Sequence, residues 1–218
     1  MARQRPGGLP RHLTPTGDPA PLIGCYGFFL PGKGIDTLIN AMPLLQRHWP
    51  GTRLRLVNAE YDAEASREEI ARCRALVAAH GLEESVEFET GFLAPHLSQA
   101  LLGECDVLAL PYAPSKEGSS AALRGALIAA VAVAVTPIAL FDEAGAAAFR
   151  FADGTPEAVA EGLARLLGDD AARAALQAAA HDWIAARQWP DVARRTAGMI
   201  AGLVRTRALA SCRGGTAA

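Results

Sequence analysis

Short apolar runs alternate with amphipathic helical patterns from about residue 21 to about residue 165. Apolar runs bounded by Gly, Pro or Asn predict strands, and apolar residues spaced three and four apart predict helices. The predicted strands are Leu22–Tyr26, Arg53–Asn58, Ser85–Glu89, Asp106–Leu110, Ala132–Val135 and a short one at Phe149–Phe151. The predicted helices are Lys33–His48, Glu64–His80, Pro95–Leu102, Ser119–Ala130, Pro156–Leu167, Asp169–Arg187 and Trp189–Arg205.

This alternation predicts an α/β fold in which a parallel sheet carries helices on both faces. Asp106–Leu110 and Ala132–Val135 are apolar almost throughout, which is typical of central strands buried on both faces. Arg53–Asn58 and Ser85–Glu89 alternate apolar with charged residues, so each should have one wetter face.

No internal repeat or low-complexity linker divides the chain, so we predict a single domain over residues 21–205. Residues 1–20 are rich in Arg, Pro and Gly and are predicted to form a flexible arm. Residues 206–218 lack a clear period and are predicted to form a flexible tail.

Composition narrows the function classes. The 218 residues are 50% hydrophobic with a formal charge of −2, which indicates a soluble globular protein with a sizeable core and no nucleic-acid-binding surface. The apolar run Ala126–Val135 is too short to span a bilayer, and the first twenty residues contain no apolar block of the kind found in signal peptides. The four cysteines are widely spaced, which favours reduced thiols and a cytoplasmic location over a zinc site.

A glycine-punctuated loop, Gly27–Gly34, follows the first predicted strand and contains Lys33 between Gly32 and Gly34. Because a helical pattern begins there, the free N–H groups and the positive helix end predict a phosphate-binding loop. The spacing nearly matches the nucleoside-triphosphate loop Gly-x4-Gly-Lys-Ser/Thr, but Gly34 stands where the magnesium-binding hydroxyl is needed. An ordinary turn between a strand and a helix remains an alternative.

A second loop, Pro111–Ser120, follows the predicted strand that ends at Leu110 and leads into a helix. Ser119 or Ser120 can cap that helix, while Glu117 offers hydrogen-bond acceptors to sugar hydroxyls. The alternative for Glu117 is a surface acid favoured by the helix dipole. Ligands of open α/β sheets bind beyond the carboxyl ends of the strands, where both loops are predicted to lie.

The two loops together resemble the nucleotide-sugar half of GT-B glycosyltransferases, specifically family 4. The resemblance rests on Gly-x-x-x-Pro-Gly-Lys-Gly after the first strand and Glu-Gly-Ser-Ser after the fourth, and it covers about residues 21–205. Leu56–Ala59, Gly91–Leu93 and Val133–Pro137 also look like a bacterial branch of these enzymes. The implied fold is one Rossmann-like domain of the GT-B C-terminal type, followed by terminal helices.

The resemblance implies that Lys33 contacts the donor diphosphate and that Glu117 contacts hydroxyls of the transferred sugar. It places the backbone N–H groups of Gly118–Ser120 beside the phosphates and Phe92 and Leu93 beside the base. No metal and no cofactor are implied beyond the nucleoside-diphosphate sugar itself. The donor-binding residues carried over are Gly32, Gly34, Asn58, Phe92, Leu93, Gly118, Ser119, Ser120 and Arg124, with Lys33 and Glu117 as the catalytic pair.

Three departures from the family pattern are visible. The second acid of the family's Glu-x7-Glu motif, which holds the ribose, falls at Gly125, and an expected arginine falls at Phe28. Arg124 either compensates for one loss or is a solvated helix arginine. The Gly-x-Pro turn before the fifth strand is replaced by residues 130–132, which begin with Ala130.

The implied activity is transfer of a hexosyl group from a nucleoside-diphosphate sugar to a glycan or polymer acceptor. A GT-B enzyme has two such domains, so the residues that carry the resemblance supply one half of the cleft. The chain is then a fragment, a subunit completed by a separate acceptor-domain chain, or a non-catalytic interaction module that keeps the fold. A nucleotide hydrolase is the third and weakest alternative.

Overall fold

The computed structural model describes residues 20–213. Within that range the strands are β1 (Leu22–Phe28), β2 (Arg53–Ala59), β3 (Val86–Glu89), β4 (Val107–Leu110), β5 (Ala132–Val135) and β6 (Ala148–Arg150). They form one sheet in the order β3-β2-β1-β4-β5-β6, and every pair of neighbours is parallel.

Helices connect the strands and follow the last of them. Their bounds are α1 (Ile35–His48), α2 (Ala65–His80), α3 (Pro95–Gly103), α4 (Ala121–Ile128), α5 (Pro156–Gly168), α6 (Asp170–Ala185) and α7 (Trp189–Arg213). α1 packs against α2 and α5, while α3 packs against α4. The α/β class and the Rossmann-like parallel sheet with helices around it are confirmed.

Burial follows the sequence pattern of each strand. All residues of β4 and β5 are buried, as predicted for central strands. β2 and β3 share a wetter face, on which Arg55 Nε lies 2.7 Å from Glu87 and Arg55 Nη1 lies 2.6 Å from Glu104. The charge of Arg55 on this face is therefore paired with two carboxylates, one on β3 and one just after α3.

The strand order places β1 and β4 side by side, with Ile23 opposite Val107. From β1 the chain proceeds through β2 to the edge strand β3, and from β4 it proceeds through β5 to the opposite edge strand β6. The order in which strands are added to the sheet therefore changes direction between β1 and β4. The crevice at such a switch point is where α/β sheets bind ligands. The loops after β1 and β4 are the two loops singled out by the sequence.

The main core lies between the sheet and the layer of α1 and α5. Its largest fully buried side chains include Phe29, Leu38 and Met42. Trp49, directly after α1, links this helix to α5 by donating from Nε1 to the carbonyl of Ala164 at 3.3 Å. The loops at the carboxyl ends of the strands thus extend from elements that are packed into this core.

Most element boundaries lie within two residues of the predicted ones. Three differences concern α1, α7 and a segment that was not predicted. α1 begins at Ile35 instead of Lys33, because Gly34 has a left-handed φ of 70° that is incompatible with the helix. A 3₁₀ segment at Ala139–Ala147, kinked at Gly145 with φ 52°, has no counterpart in the prediction. α7 continues to Arg213, since Ala, Leu and Arg after residue 205 are good helix formers.

The chain divides into two compact units, one ending at His181 and one beginning at Asp182. The second unit contains the end of α6 and the whole of α7, on which Trp189, Met199 and Leu203 are at least 71% exposed. No described helix is both long and apolar enough to cross a membrane. The predicted arm, except Ala20, and residues 214–218 of the predicted tail lie outside the described residues.

Candidate functional site

The loop after β1 is built from backbone conformations that require glycine. Gly32 and Gly34 have φ values of 80° and 70°, a region that costs other residues about 1–2 kcal/mol. A Cβ at Gly34 would lie 1.9 Å from the carbonyl oxygen of Pro111. The loop after β1 therefore packs directly against the start of the loop after β4, and no side chain fits between them.

One backbone hydrogen bond and one side-chain hydrogen bond join these loops. The N–H of Ala113 donates to the carbonyl of Gly32 at 2.9 Å. Thr136, which directly follows β5, donates from Oγ1 to the carbonyl of Tyr112 at 2.7 Å and is itself buried. The carboxyl ends of β1, β4 and β5 are consequently fixed relative to one another.

Lys33 and Glu117 meet at this junction. Lys33 Nζ lies 2.9 Å from Oε1 and 3.1 Å from Oε2 of Glu117. The Lys33 side chain is 14% exposed and that of Glu117 is 50% exposed, so the carboxylate faces solvent from the outer side of the ammonium group. The structure thus brings together the two residues predicted to be the catalytic pair.

Tyr112 supports this pair, and the sequence analysis did not select it as a site residue. Its ring centroid lies 4.6 Å from Lys33 Nζ, a cation–π distance, and 5.2 Å from the ring of Phe141. Burial raises the pKa of Tyr112 far above its usual value, and its hydroxyl bonds to Ser120. In the sequence, Tyr112 could have been selected as an aromatic residue in the loop after the fourth strand, next to Pro111.

Ser120 is the residue that caps α4. Its Oγ accepts a hydrogen bond of 3.1 Å from the N–H of Leu123, and its backbone is extended. Ser119 and Gly118 lie on the exposed turn just before it. The positive end of α4 therefore directly follows the exposed segment that carries Glu117.

Asn58, at the end of β2, is buried and binds β1 rather than facing the crevice. In the amide orientation that satisfies both of its polar atoms, it donates to the carbonyl of Cys25 and accepts from the N–H of Gly27, each at 3.3 Å. The structure therefore places Asn58 as a support for the strand that leads into the Lys33 loop.

Phe92 and Leu93 lie apart from the Lys33–Glu117 pair. They follow β3, which is separated from β1 by β2, so their loop begins about 10 Å away across the sheet. The Phe92 ring is 82% exposed and available as a flat apolar surface. Gly91 begins this loop, and its N–H is held by Glu89 Oε1 at 3.0 Å.

The space beside Gly125 is filled by Tyr26. A Cβ at Gly125 would lie 2.4 Å from Cε1 of Tyr26, so the ring occupies the volume that a larger side chain there would need. Arg124 points to the 3₁₀ segment, where its Nη2 lies 3.2 Å from Glu143. Phe28, the other departure, has its ring centroid 4.8 Å from that of Tyr61. At Phe28 and beside Gly125, aromatic rings therefore stand where the family pattern has charges.

A hollow of about 470 Å³ lies between the loop after β1, the start of α1 and the segments that follow β4, β5 and β6. Gly32 and Gly34 form one wall, and an ion pair between Asp36 and Arg72, 3.0 Å apart, forms another. Hydrogen bonding to Glu69 raises the pKa of Arg72, and the bond to Asp36 adds to the effect. Arg72 was not predicted, because it sits on a helix with an otherwise ordinary polar pattern.

A larger hollow of about 600 Å³ lies beside α5 and α6 and is lined mainly by small apolar side chains, away from the loops after β1 and β4. In the described part of the chain, no group of three or more His, Cys, Asp or Glu side chains is arranged to hold a metal ion.

Known proteins share both the sequence pattern and the fold. The family model described as glycosyl transferases group 1 matches residues 20–169. A GDP-mannose-dependent α-(1-6)-phosphatidylinositol monomannoside mannosyltransferase of Mycobacterium tuberculosis is 27% identical over 191 residues, which are 84% of this chain and 48% of that protein. The chain thus spans about half the length of the curated relatives it matches.

Solved structures agree on the fold. HepE from Anabaena, determined in complex with UDP, superposes with a TM-score of 0.70 at 21% identity, covering 84% of this chain and 49% of that one. The C-terminal domain of a glycosyl transferase group 1 family protein from Francisella tularensis has a TM-score of 0.64 at 15% identity, covering 77% of this chain and 85% of that domain. With its family match over most of the sheet and its GT-B type of fold, the chain belongs to the glycosyl transferases group 1 family.

Proposed function

We propose that this chain is the donor-binding half of a family 4-like glycosyltransferase, which transfers a hexosyl group from a nucleoside-diphosphate sugar to a glycan or polymer acceptor. The observation that carries the proposal is the meeting of Lys33 and Glu117 at the ends of adjacent strands, 2.9 Å apart. One group is a cation suited to a diphosphate, and the other is an acceptor suited to sugar hydroxyls.

Charge development on the leaving diphosphate explains why these parts lie together. As the glycosidic bond breaks, negative charge accumulates on the diphosphate oxygen. The Lys33 ammonium and the first turn of α4, capped by Ser120, provide fixed positive potential at that position. Because the hydrogen bond from Ala113 to Gly32 already joins the two loops, little reorganisation is needed during the reaction.

The relatives support this assignment by their names. One is described as a GDP-mannose-dependent mannosyltransferase, and another was solved with UDP. We propose that this chain uses a donor of the same chemical class, and that a second domain or a separate chain binds the acceptor. Cys25 and Cys73 are buried thiols outside any disulfide, which supports a reducing, cytoplasmic location.

Calorimetric titration of the purified chain with UDP, GDP and their hexose conjugates tests the proposal. We expect Lys33→Gln to weaken diphosphate binding about tenfold or more, since a charge-assisted contact contributes roughly 1.5–3 kcal/mol. Arg47→Gln is the control, because it removes one positive charge from the exposed last turn of α1, at the opposite end of that helix. If the folded protein bound none of these ligands, the proposal would be rejected.

A non-catalytic module is the second candidate, favoured by the Tyr26 ring that fills the space beside Gly125. In that case the fold persists without a working ribose site. The two candidates differ in the same titration: the module predicts no nucleotide affinity and no response to Lys33→Gln, while thermal unfolding of the variant remains cooperative.

A further inference from the structure

The Lys33–Glu117 ion pair bears on which ligands the site prefers. Both carboxylate oxygens of Glu117 contact Lys33 Nζ, at 2.9 and 3.1 Å, and the ammonium group is held from beneath by the Tyr112 ring at 4.6 Å. The cation needed by a diphosphate and the carboxylate needed by a sugar are therefore bonded to each other. A ligand that uses Lys33 must share it with Glu117 or displace the carboxylate.

We propose that this pair makes the site discriminate a nucleoside-diphosphate sugar from the nucleoside diphosphate alone. The inference rests on the proposed function and adds a specificity role to the same two residues. A bare diphosphate competes with Glu117 for Lys33 and places like charges near each other, with no compensation. A diphosphate carrying a hexose brings hydroxyl donors that occupy the displaced carboxylate, so the cost is offset.

The exposure of the two side chains makes the exchange feasible. Lys33 is 14% exposed and fixed over Tyr112, whereas Glu117 is 50% exposed and lies on a turn of exposed residues before Ser120. Glu117 can therefore rotate toward a sugar while Lys33 stays in place. Once the hexosyl group has left, the carboxylate loses its hydroxyl partners and returns to Lys33, which weakens the hold on the product diphosphate.

The test compares two ligands, UDP and UDP-glucose, or GDP and GDP-mannose if the guanine pair binds more tightly, on the protein and on Glu117→Gln. We expect Glu117→Gln to bind the diphosphate about fivefold more tightly, the upper range for an exposed ion pair. We expect it to bind the diphosphate sugar about fivefold or more weakly, because the amide is a poorer acceptor than the carboxylate. Opposite signs for the two ligands are the signature of the proposed discrimination.

A second background separates the ion pair from simple repulsion between Glu117 and phosphate. In Lys33→Gln, the carboxylate has no ammonium group to hold, so adding Glu117→Gln should change diphosphate affinity less than twofold. A gain of the same fivefold size in that background would overturn the proposal, because repulsion alone would then explain it. Glu84→Gln removes one exposed negative charge just before β3, at the amino end of an edge strand and away from the loops after β1 and β4, and should change neither affinity.

The failure of this inference is distinguishable from failure of the proposed function. Unchanged or weaker diphosphate binding by Glu117→Gln, in a protein that does bind both ligands, overturns the discrimination and leaves the donor site standing. Absence of binding to either ligand by the protein and by every variant overturns the proposed function and this inference together.

Discussion

Two parts of the candidate site are built in different ways. At the phosphate end, glycines and the hydrogen bond from the N–H of Ala113 to the carbonyl of Gly32 join the loops after β1 and β4, and a Cβ at Gly34 would lie 1.9 Å from the carbonyl oxygen of Pro111. At the two positions that depart from the family pattern, Phe28 and Gly125, the contacts are made by side chains, with Tyr26 over Gly125 and Phe28 against Tyr61. Backbone contacts restrict substitution, whereas one side-chain contact can be replaced by another.

The largest expected effect is at the phosphate end. Gly34→Ala should destabilise the protein by about 3 kcal/mol or more, because a backbone carbonyl cannot yield to the new Cβ. Gly32→Ala is the matched variant: its φ is also left-handed at 80°, but nothing lies within 4 Å of the added Cβ. It should cost only about 1–2 kcal/mol. Urea unfolding measures both, and equal losses would refute the tight packing described here.

A smaller effect on stability is expected at Gly125, and its sign should depend on whether Tyr26 is present. Gly125→Ala should destabilise by about 1–3 kcal/mol, since its Cβ would lie 2.4 Å from the Tyr26 ring. In a Tyr26→Ala background the same change should stabilise by up to about 1 kcal/mol, because alanine favours the helix once the space is open. A double-mutant cycle by chemical denaturation gives the coupling. Additive effects would mean that Tyr26 does not fill this space.

The smallest effect isolates left-handed strain from packing. Ala130, in the turn before β5, has a φ of 55°, which its side chain disfavours. Ala130→Gly should therefore stabilise the protein by about 0.5–1 kcal/mol. Glycine relieves the backbone strain of the folded state, but part of this gain is offset because glycine also raises the conformational entropy of the unfolded chain. Thermal unfolding checks the sign. A lower melting temperature would show that the Gly32→Ala comparison overstates the cost of left-handed backbone.

Local patterns were sufficient to predict most of the fold. The alternation of strands and helices and the central positions of β4 and β5 follow from residue order. So does a serine cap on α4, although the sequence left Ser119 and Ser120 as alternatives. The 3₁₀ segment at Ala139–Ala147 was missed because its kink at Gly145 interrupts any helical period. The doubtful turn at Ala130 was rightly noted, and the structure accommodates it with a positive φ.

The site was predictable only where a residue type signals its own chemistry. Lys33 and Glu117 stand in loops, so their charges are conspicuous in the sequence. Tyr112 and Tyr26 were not selected, because an aromatic residue in or after an apolar strand is normally core. Their contacts with Lys33 and Gly125 come from elements brought together by the strand order. The sequence assigned Asn58 to the donor, whereas the structure shows it supporting β1.

The fit of Gly34 against Pro111 affects how genomic surveys of similar chains should be interpreted. A descendant that stopped using sugar nucleotides would still need that glycine to stay folded. The glycine-rich loop in a new sequence therefore indicates that the fold is shared, and it does not distinguish active enzymes from those that have lost activity. Lys33 and Glu117 are under no such folding constraint. Whether a related chain keeps both or has lost both therefore says more about whether it still uses sugar nucleotides.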